Sequence, residues 1–209
     1  MGPRTDRRHL QGEESRRRIL DAVIQIAAER GYEGTTVAQV SRQSGLPASS
    51  IYWHFKDKDD LIAAVIRRTH DEWIAALGPL PVLDSGATRR DLLRVIVHHE
   101  VVALVEHPDF LRFGLMLALE QRPEEPTARA LFIEMRRQSL ERMAAGLRLV
   151  LTSTGDDRDT FAMTLARLIM ASVDGLFIAS RESKDGLDIA PHLDLLADSI
   201  DLLIEDQMR

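Results

Sequence analysis

The chain has 209 residues, 44% of them hydrophobic, which is enough for one large domain or two small ones around a genuine core. The absence of cysteine excludes disulfides, thiolate metal sites and thiol nucleophiles together. A net charge of −6 argues at first against an anionic partner, and no uninterrupted apolar run reaches the roughly 18 residues that cross a bilayer.

Residues 1–13 are polar and charged and lack the apolar core of a signal peptide, so a flexible arm on a cytoplasmic, membrane-free protein is expected. A first helix is predicted from Glu14 to Arg30, where Ile19, Ala22, Val23, Ile26 and Ala27 recur at helical spacing, and Gly31 ends it. Arg16, Arg17 and Arg18 crowd its first turn, where the helix dipole favours carboxylates; a nearby phosphate would relieve that conflict.

Thr36 with Gln39 three residues on forms a capping-box pattern, starting a short helix near Val37 whose apolar face is Val37 and Val40. Gly45 stands just past its end, where a residue tolerant of positive φ is needed. Leu46 plugs the turn, and Pro47 presets φ for the next helix. Ile51 and Phe55 face inward from that helix, leaving Ala48, Ser49, Ser50, Trp53 and His54 outside. This is a helix-turn-helix plan, whose second helix enters a DNA major groove about 12 Å wide if its leading side chains are small. Serines 49 and 50 suit base edges or phosphates; Tyr52, Trp53, His54 and Lys58 suit the flanking backbone, with Thr36 and Arg42 as further contacts. A purely structural corner is the competing reading. The charge distribution favours DNA: residues 1–58 hold 10 Lys/Arg against 7 Asp/Glu, whereas residues 59–209 hold 17 against 26. Arg4, Arg7 and Arg8 are placed to touch the duplex from the arm, or merely to solubilise it.

The run TTVAQVSRQSGLPASSIYWHFKDKDDLIAAVI resembles the DNA-binding segment of the tetracycline-repressor (TetR) family of bacterial transcriptional regulators. The matching positions are Thr35-Thr36-Val37, Val40, Gly45-Leu46, Ile51-Tyr52, Phe55, Lys58 and Leu61. Ser41 and Ser44 depart from the usual alanines, and Pro47 replaces the common Ser/Thr cap. The resemblance implies an all-α protein of about nine helices. Its domains would be a helix-turn-helix domain over 14–58 and a helical ligand-binding and dimerisation domain over 59–209.

Beyond that segment, helices are expected over Lys58–Leu77, stopped by Gly78-Pro79, then Asp91–Glu106, apolar almost all round and so central and buried. Phe110–Leu119, Thr127–Leu151, Asp159–Ser180 and Ile189–Asp206 follow, with a two-proline turn at 122–126 and polar loops at 80–88, 152–157 and 183–187. The resemblance implies that the last two helices pair with a second copy, and independently one recognition helix contacts too few base pairs for a stable site.

It also implies a pocket for a small apolar or amphipathic effector that releases a repressor from a palindromic operator. Soft and aromatic candidates for its lining are Trp73, Phe113, Met116, Phe132, Met170 and Phe177. Polar candidates in apolar surroundings are Arg94, His98, His99 and Asp174. No cofactor or metal is expected: His99 and His107 are eight residues apart, about 12 Å along a helix, too far to share an ion. No nucleophile elbow, His-Glu-x-x-His pair or phosphate-cradling loop points to catalysis. A dimeric DNA-binding protein answering to a protein partner, or to nothing, is the alternative.

Overall fold

The computed structural model describes residues 3–79, 81, 84–119, 126–151, 156–183 and 187–207. Among them are nine helices and no strand: α1 (Pro3–Gly34), α2 (Val37–Ser44), α3 (Ala48–His54), α4 (Lys58–Leu77), α5 (Arg89–Glu106), α6 (Asp109–Leu119), α7 (Thr127–Arg148), α8 (Asp156–Glu182) and α9 (Ala190–Gln207). The all-helical class follows the sequence expectation, and α4 matches it to the residue.

Several boundaries differ, three of them for identifiable physical reasons. The stretch expected as an arm is helical from Pro3, because Pro suits a first helical position and Arg, Gln, Leu and Glu are strong helix formers. The side chains of Arg4, Arg7 and Arg8 lie outside the described residues, as does most of the two-proline turn. Gly31 leaves helical geometry at φ 69° and ψ −176°, so the long regular run ends there as expected, before a short turn reaches Thr35. Helix α5 starts at Arg89 because Thr88 and Asp91 form a capping box of their own. Helix α7 stops at Arg148, where Leu149 and Val150 bond three residues back, to Gly146 and Leu147. Helix α8 is long and apolar enough over Asp157–Glu182 to pass for a membrane span by length and hydropathy alone, as a core helix also does, and its Ala162, Leu165, Ala166 and Ile169 are buried within the protein.

Two compact units are formed, Met1–Asp71 with Asp109–Glu134, and Glu72–Pro108 with Met135–Arg209. This grouping by compactness differs from a division at residue 58. In the first unit Ile19, Leu20 and Val23 of α1 are buried with Val40 of α2, Ile51 and Phe55 at α3, and the run Leu61–Ile66 of α4. Each such aliphatic side chain contributes about 1.5–3 kcal/mol by leaving water. The α6–α7 hairpin joins this unit through specific bonds: Asp59 accepts from Thr127 N at 2.8 Å and Ala128 N at 3.2 Å, capping α7 from another helix. Phe132 lies directly over Gly114 with its ring 5.3 Å from that of Phe110.

In the second unit α5 is two-faced, not buried all round. Leu93, Ile96, Val97 and Val101 are buried, while Val105 is exposed. Its polar stripe bonds to α9: Arg89 to Asp201 at 2.5 Å, Arg90 to Asp198, Arg94 to Asp198 at 3.3 Å and His98 to Asp194 at 3.0 Å. Ala162, Leu165, Ile169 and Val173 of α8 and Leu193, Ala197, Ile200 and Ile204 of α9 complete the core.

Candidate nucleic-acid interface

The α2–α3 corner is built from local chemistry. Thr36 Oγ1 accepts from Gln39 N at 3.3 Å and Gln39 Oε1 accepts from Thr36 N at 3.0 Å, closing the expected capping box. Gly45 takes the left-handed conformation at φ 66° and ψ 19°. Pro47 is the N-cap of α3 at φ −64°, with no side-chain cap bond.

The two serines standing where alanine is usual brace this turn. Ser41 Oγ donates to Leu46 O at 2.7 Å, and Ser44 Oγ accepts from Leu46 N at 3.3 Å. From α1, Arg18 Nη2 donates to Ser44 O at 2.6 Å. The other arginines of that run also have partners within the unit: Arg17 pairs with Glu14 at 2.6 Å, and the Arg16 guanidinium lies 5.5 Å over the Phe55 ring. A charge run alone does not reveal these roles, because the contacts join residues up to 39 positions apart, as in Arg16–Phe55.

The corner turns one face of α3 inward and the other out. Ile51 and Phe55 are 1% and 3% exposed, whereas Tyr52 and Trp53 are 59% and 77% exposed. Ala48, Ser49 and Arg42 are exposed, Thr36 likewise, and Ser50 and His54 are half-buried. Trp53 and His54 meet edge to face at 4.6 Å. Burial, and then the charge of Arg16, hold the His54 imidazole below its ordinary pKa against the opposing pull of Glu13, so it is neutral at pH 7. Lys58 is less free than its motif position suggests. Its ammonium lies 3.9 Å over the Tyr32 ring and 3.9 Å from Glu33, with the side chain 29% exposed.

The expected effector residues do not form one described group. Phe113 and Phe132 are buried in the first unit, with Met116 half-buried on the same α6. In the second unit Arg94 and His98 are committed to α9 carboxylates, and His99 Nε2 lies 3.2 Å from Pro79 O. Asp174 pairs with Arg136, and burial raises its carboxyl pKa despite that partner. Phe177 is buried beneath the Arg181 guanidinium at 5.2 Å, and Met170 is half-buried. Trp73 is buried with Arg142 5.7 Å from its ring centroid. Sequence reading passes over Arg142 and Arg136, whose polarity marks them as surface residues. Among the described residues no three His, Asp or Glu side chains converge as a metal site.

Residues 19–65 match the family described as bacterial regulatory proteins, tetR family. The chain is 33% identical over 55 residues to the HTH-type transcriptional regulator AcrR of Shigella flexneri, covering 26% of each protein. It is 33% identical over 89 residues to the probable HTH-type transcriptional regulator ArpR of Pseudomonas putida, covering 41% of this chain and 42% of that one. The chain thus aligns with less than half the length of these curated relatives. A solved transcriptional regulator from Rhodococcus superposes with a TM-score of 0.65 at 25% identity, covering 88% of this chain and 95% of that one. A transcriptional regulator from Saccharomonospora viridis, solved in complex with choline, superposes with a TM-score of 0.63 at 23% identity, covering 90% and 95%. These relatives and neighbours are regulators, not enzymes.

Proposed function

Since the chain belongs to the tetR family of bacterial regulatory proteins, we propose that it is a cytoplasmic DNA-binding transcriptional repressor, released from a partly palindromic operator by a small apolar or amphipathic molecule. The observation carrying this reading is the α3 face: small residues Ala48 and Ser49 lead it outward while Ile51 and Phe55 anchor it. Ala48–Ser50 choose the sequence; Thr36, Arg42, Tyr52, Trp53, His54 and Lys58 hold the flanking backbone. Residues 14–58 are the reading domain and 59–209 the effector and dimerisation domain.

Two copies associate through α8 and α9. In support, Leu168 and Ile178 of α8 and Leu195 and Leu202 of α9 are exposed, the α9 pair at 66% and 64%. A dyad then offers two α3 helices to half-sites about 34–36 Å apart. The effector acts through α4, whose continuous run from Lys58 to Leu77 starts at the reading domain. An effector favouring the non-binding arrangement by a few kcal/mol is sufficient to empty the operator. Support for a small molecule comes from the regulator solved with choline.

Selection of bound duplexes from a random pool tests the reading: enrichment of a two-fold symmetric site is expected, and no enrichment at low ionic strength would refute it. Leu195→Asp with Leu202→Asp should shift the protein from dimer to monomer in light scattering and cut operator affinity at least tenfold. A dimer unaffected by both changes would place the interface elsewhere.

A further inference from the structure

The helical continuation of α1 past Glu14 brings a second wall to α3. Between the two lies a cleft of about 380 Å³, lined by Gln11, Gly12 and Ser15 on one side and Ser49, Ser50, Trp53 and His54 on the other. The indole lies against Gly12, where a Cβ would stand 3.8 Å from Trp53 Cζ3. A longer side chain there would take the space the cleft now holds open.

The lining is unusual for a surface that meets an anion. It offers hydroxyls from Ser15, Ser49 and Ser50, an amide from Gln11, a neutral imidazole and the exposed face of an indole. A free inorganic anion or an acidic peptide would be better served by a cation. A deoxyribose–phosphate strand fits what is present: an apolar plate from Trp53 for the sugar and neutral donors from Gln11 and Ser15 for the phosphate oxygens. The cleft is also continuous with the outward face of α3, so the strand bordering an occupied groove passes its mouth.

We propose that this cleft seats the sugar–phosphate backbone of the strand flanking the groove entered by α3, with Gln11 and Ser15 as direct backbone contacts. The proposal rests on the DNA-binding reading above. It extends the contact surface to the N-terminal turns of α1, beyond the helix-turn-helix itself.

The test compares wild type with Gln11→Ala/Ser15→Ala on the selected operator and on an unrelated duplex, over a series of salt concentrations. Loss of two hydrogen bonds from neutral donors to phosphate oxygens should weaken both duplexes about 5- to 100-fold. The slope of log affinity against log salt should not change, since neutral donors release no counterions. On a duplex carrying one neutral methylphosphonate at the seated phosphate, the variant should lose nothing further relative to wild type. Gly12→Leu, which fills the cleft, should weaken binding in the same way while circular dichroism shows the helices intact. Unchanged binding by either variant, tighter binding, an altered preference between the duplexes or a shallower salt slope would overturn the proposal. A wild-type protein that binds no duplex overturns the DNA-binding reading and this one with it.

Discussion

Replacing Gly45 by alanine tests the corner on which the α3 face depends. At φ 66° an L side chain costs roughly 1–2 kcal/mol in backbone strain. The new Cβ would stand 3.2 Å from Arg18 Nη2, the atom that donates to Ser44 O at 2.6 Å. If the guanidinium slides aside and keeps that bond, strain is the whole effect. If the bond breaks, roughly 1.5–3 kcal/mol is added. The end of an arginine side chain moves easily, so the lower figure is expected, and a chain of this size should melt about 2–8 °C lower. Far-UV circular dichroism measures the shift, with Gly45→Asn as the control, because asparagine tolerates the left-handed region and should recover much of the loss. Alanine melting with wild type, or asparagine as damaging as alanine, would show that the left-handed turn does not hold the corner.

Two further substitutions probe each unit separately. Gly114→Ala would put a Cβ 1.8 Å from Phe132 Cε2, so the buried ring must move; overpacking costs about 1–3 kcal/mol, and Phe132→Leu in the same background should restore part of the melting temperature. No rescue would mean that the ring is not the obstacle. Burial raises the Glu100 carboxyl pKa above the ordinary 4.5, against the pull of Arg142 and His99. The unfolded chain therefore releases its proton first, and the folded state loses stability as pH rises through the raised value. Glu100→Gln should melt above wild type at about pH 7.5, with the gap narrowing as pH falls toward 4.5. A gap independent of pH would assign the effect to packing instead.

The sequence makes the α2–α3 corner readable because its determinants are local: Thr36 and Gln39 are three apart, and Gly45 and Pro47 bracket Leu46 in the turn. The Thr88–Asp91 box has the same spacing, yet apolar periodicity alone starts that helix at Asp91. The beginning of α1 is unreadable by periodicity, since a charged run without apolar spacing serves equally as arm or helix. What cannot be read at all is long-range. Asp59 capping α7, Arg18 bracing the turn and Arg136 meeting Asp174 each join residues more than 25 positions apart, and no local pattern encodes those pairings. The effector candidates suffer from the same limit. Polarity in an apolar stretch singles out Arg94 and His98, but a carboxylate on a distant helix explains them as well as a ligand would.

The arginine rungs from α5 onto α9 bear on how two copies could meet. An α9 bearing Asp194, Asp198, Asp201 and Glu205 would repel its own image across a dyad if those carboxylates were left to themselves. Because Arg89, Arg90 and Arg94 neutralise them, the neighbouring outward face of the helix, which carries Leu195 and Leu202, can meet a twin without uncompensated like charges at its edge. Stripping those arginines would therefore be felt first as self-avoidance between subunits, and added salt would partly mend it.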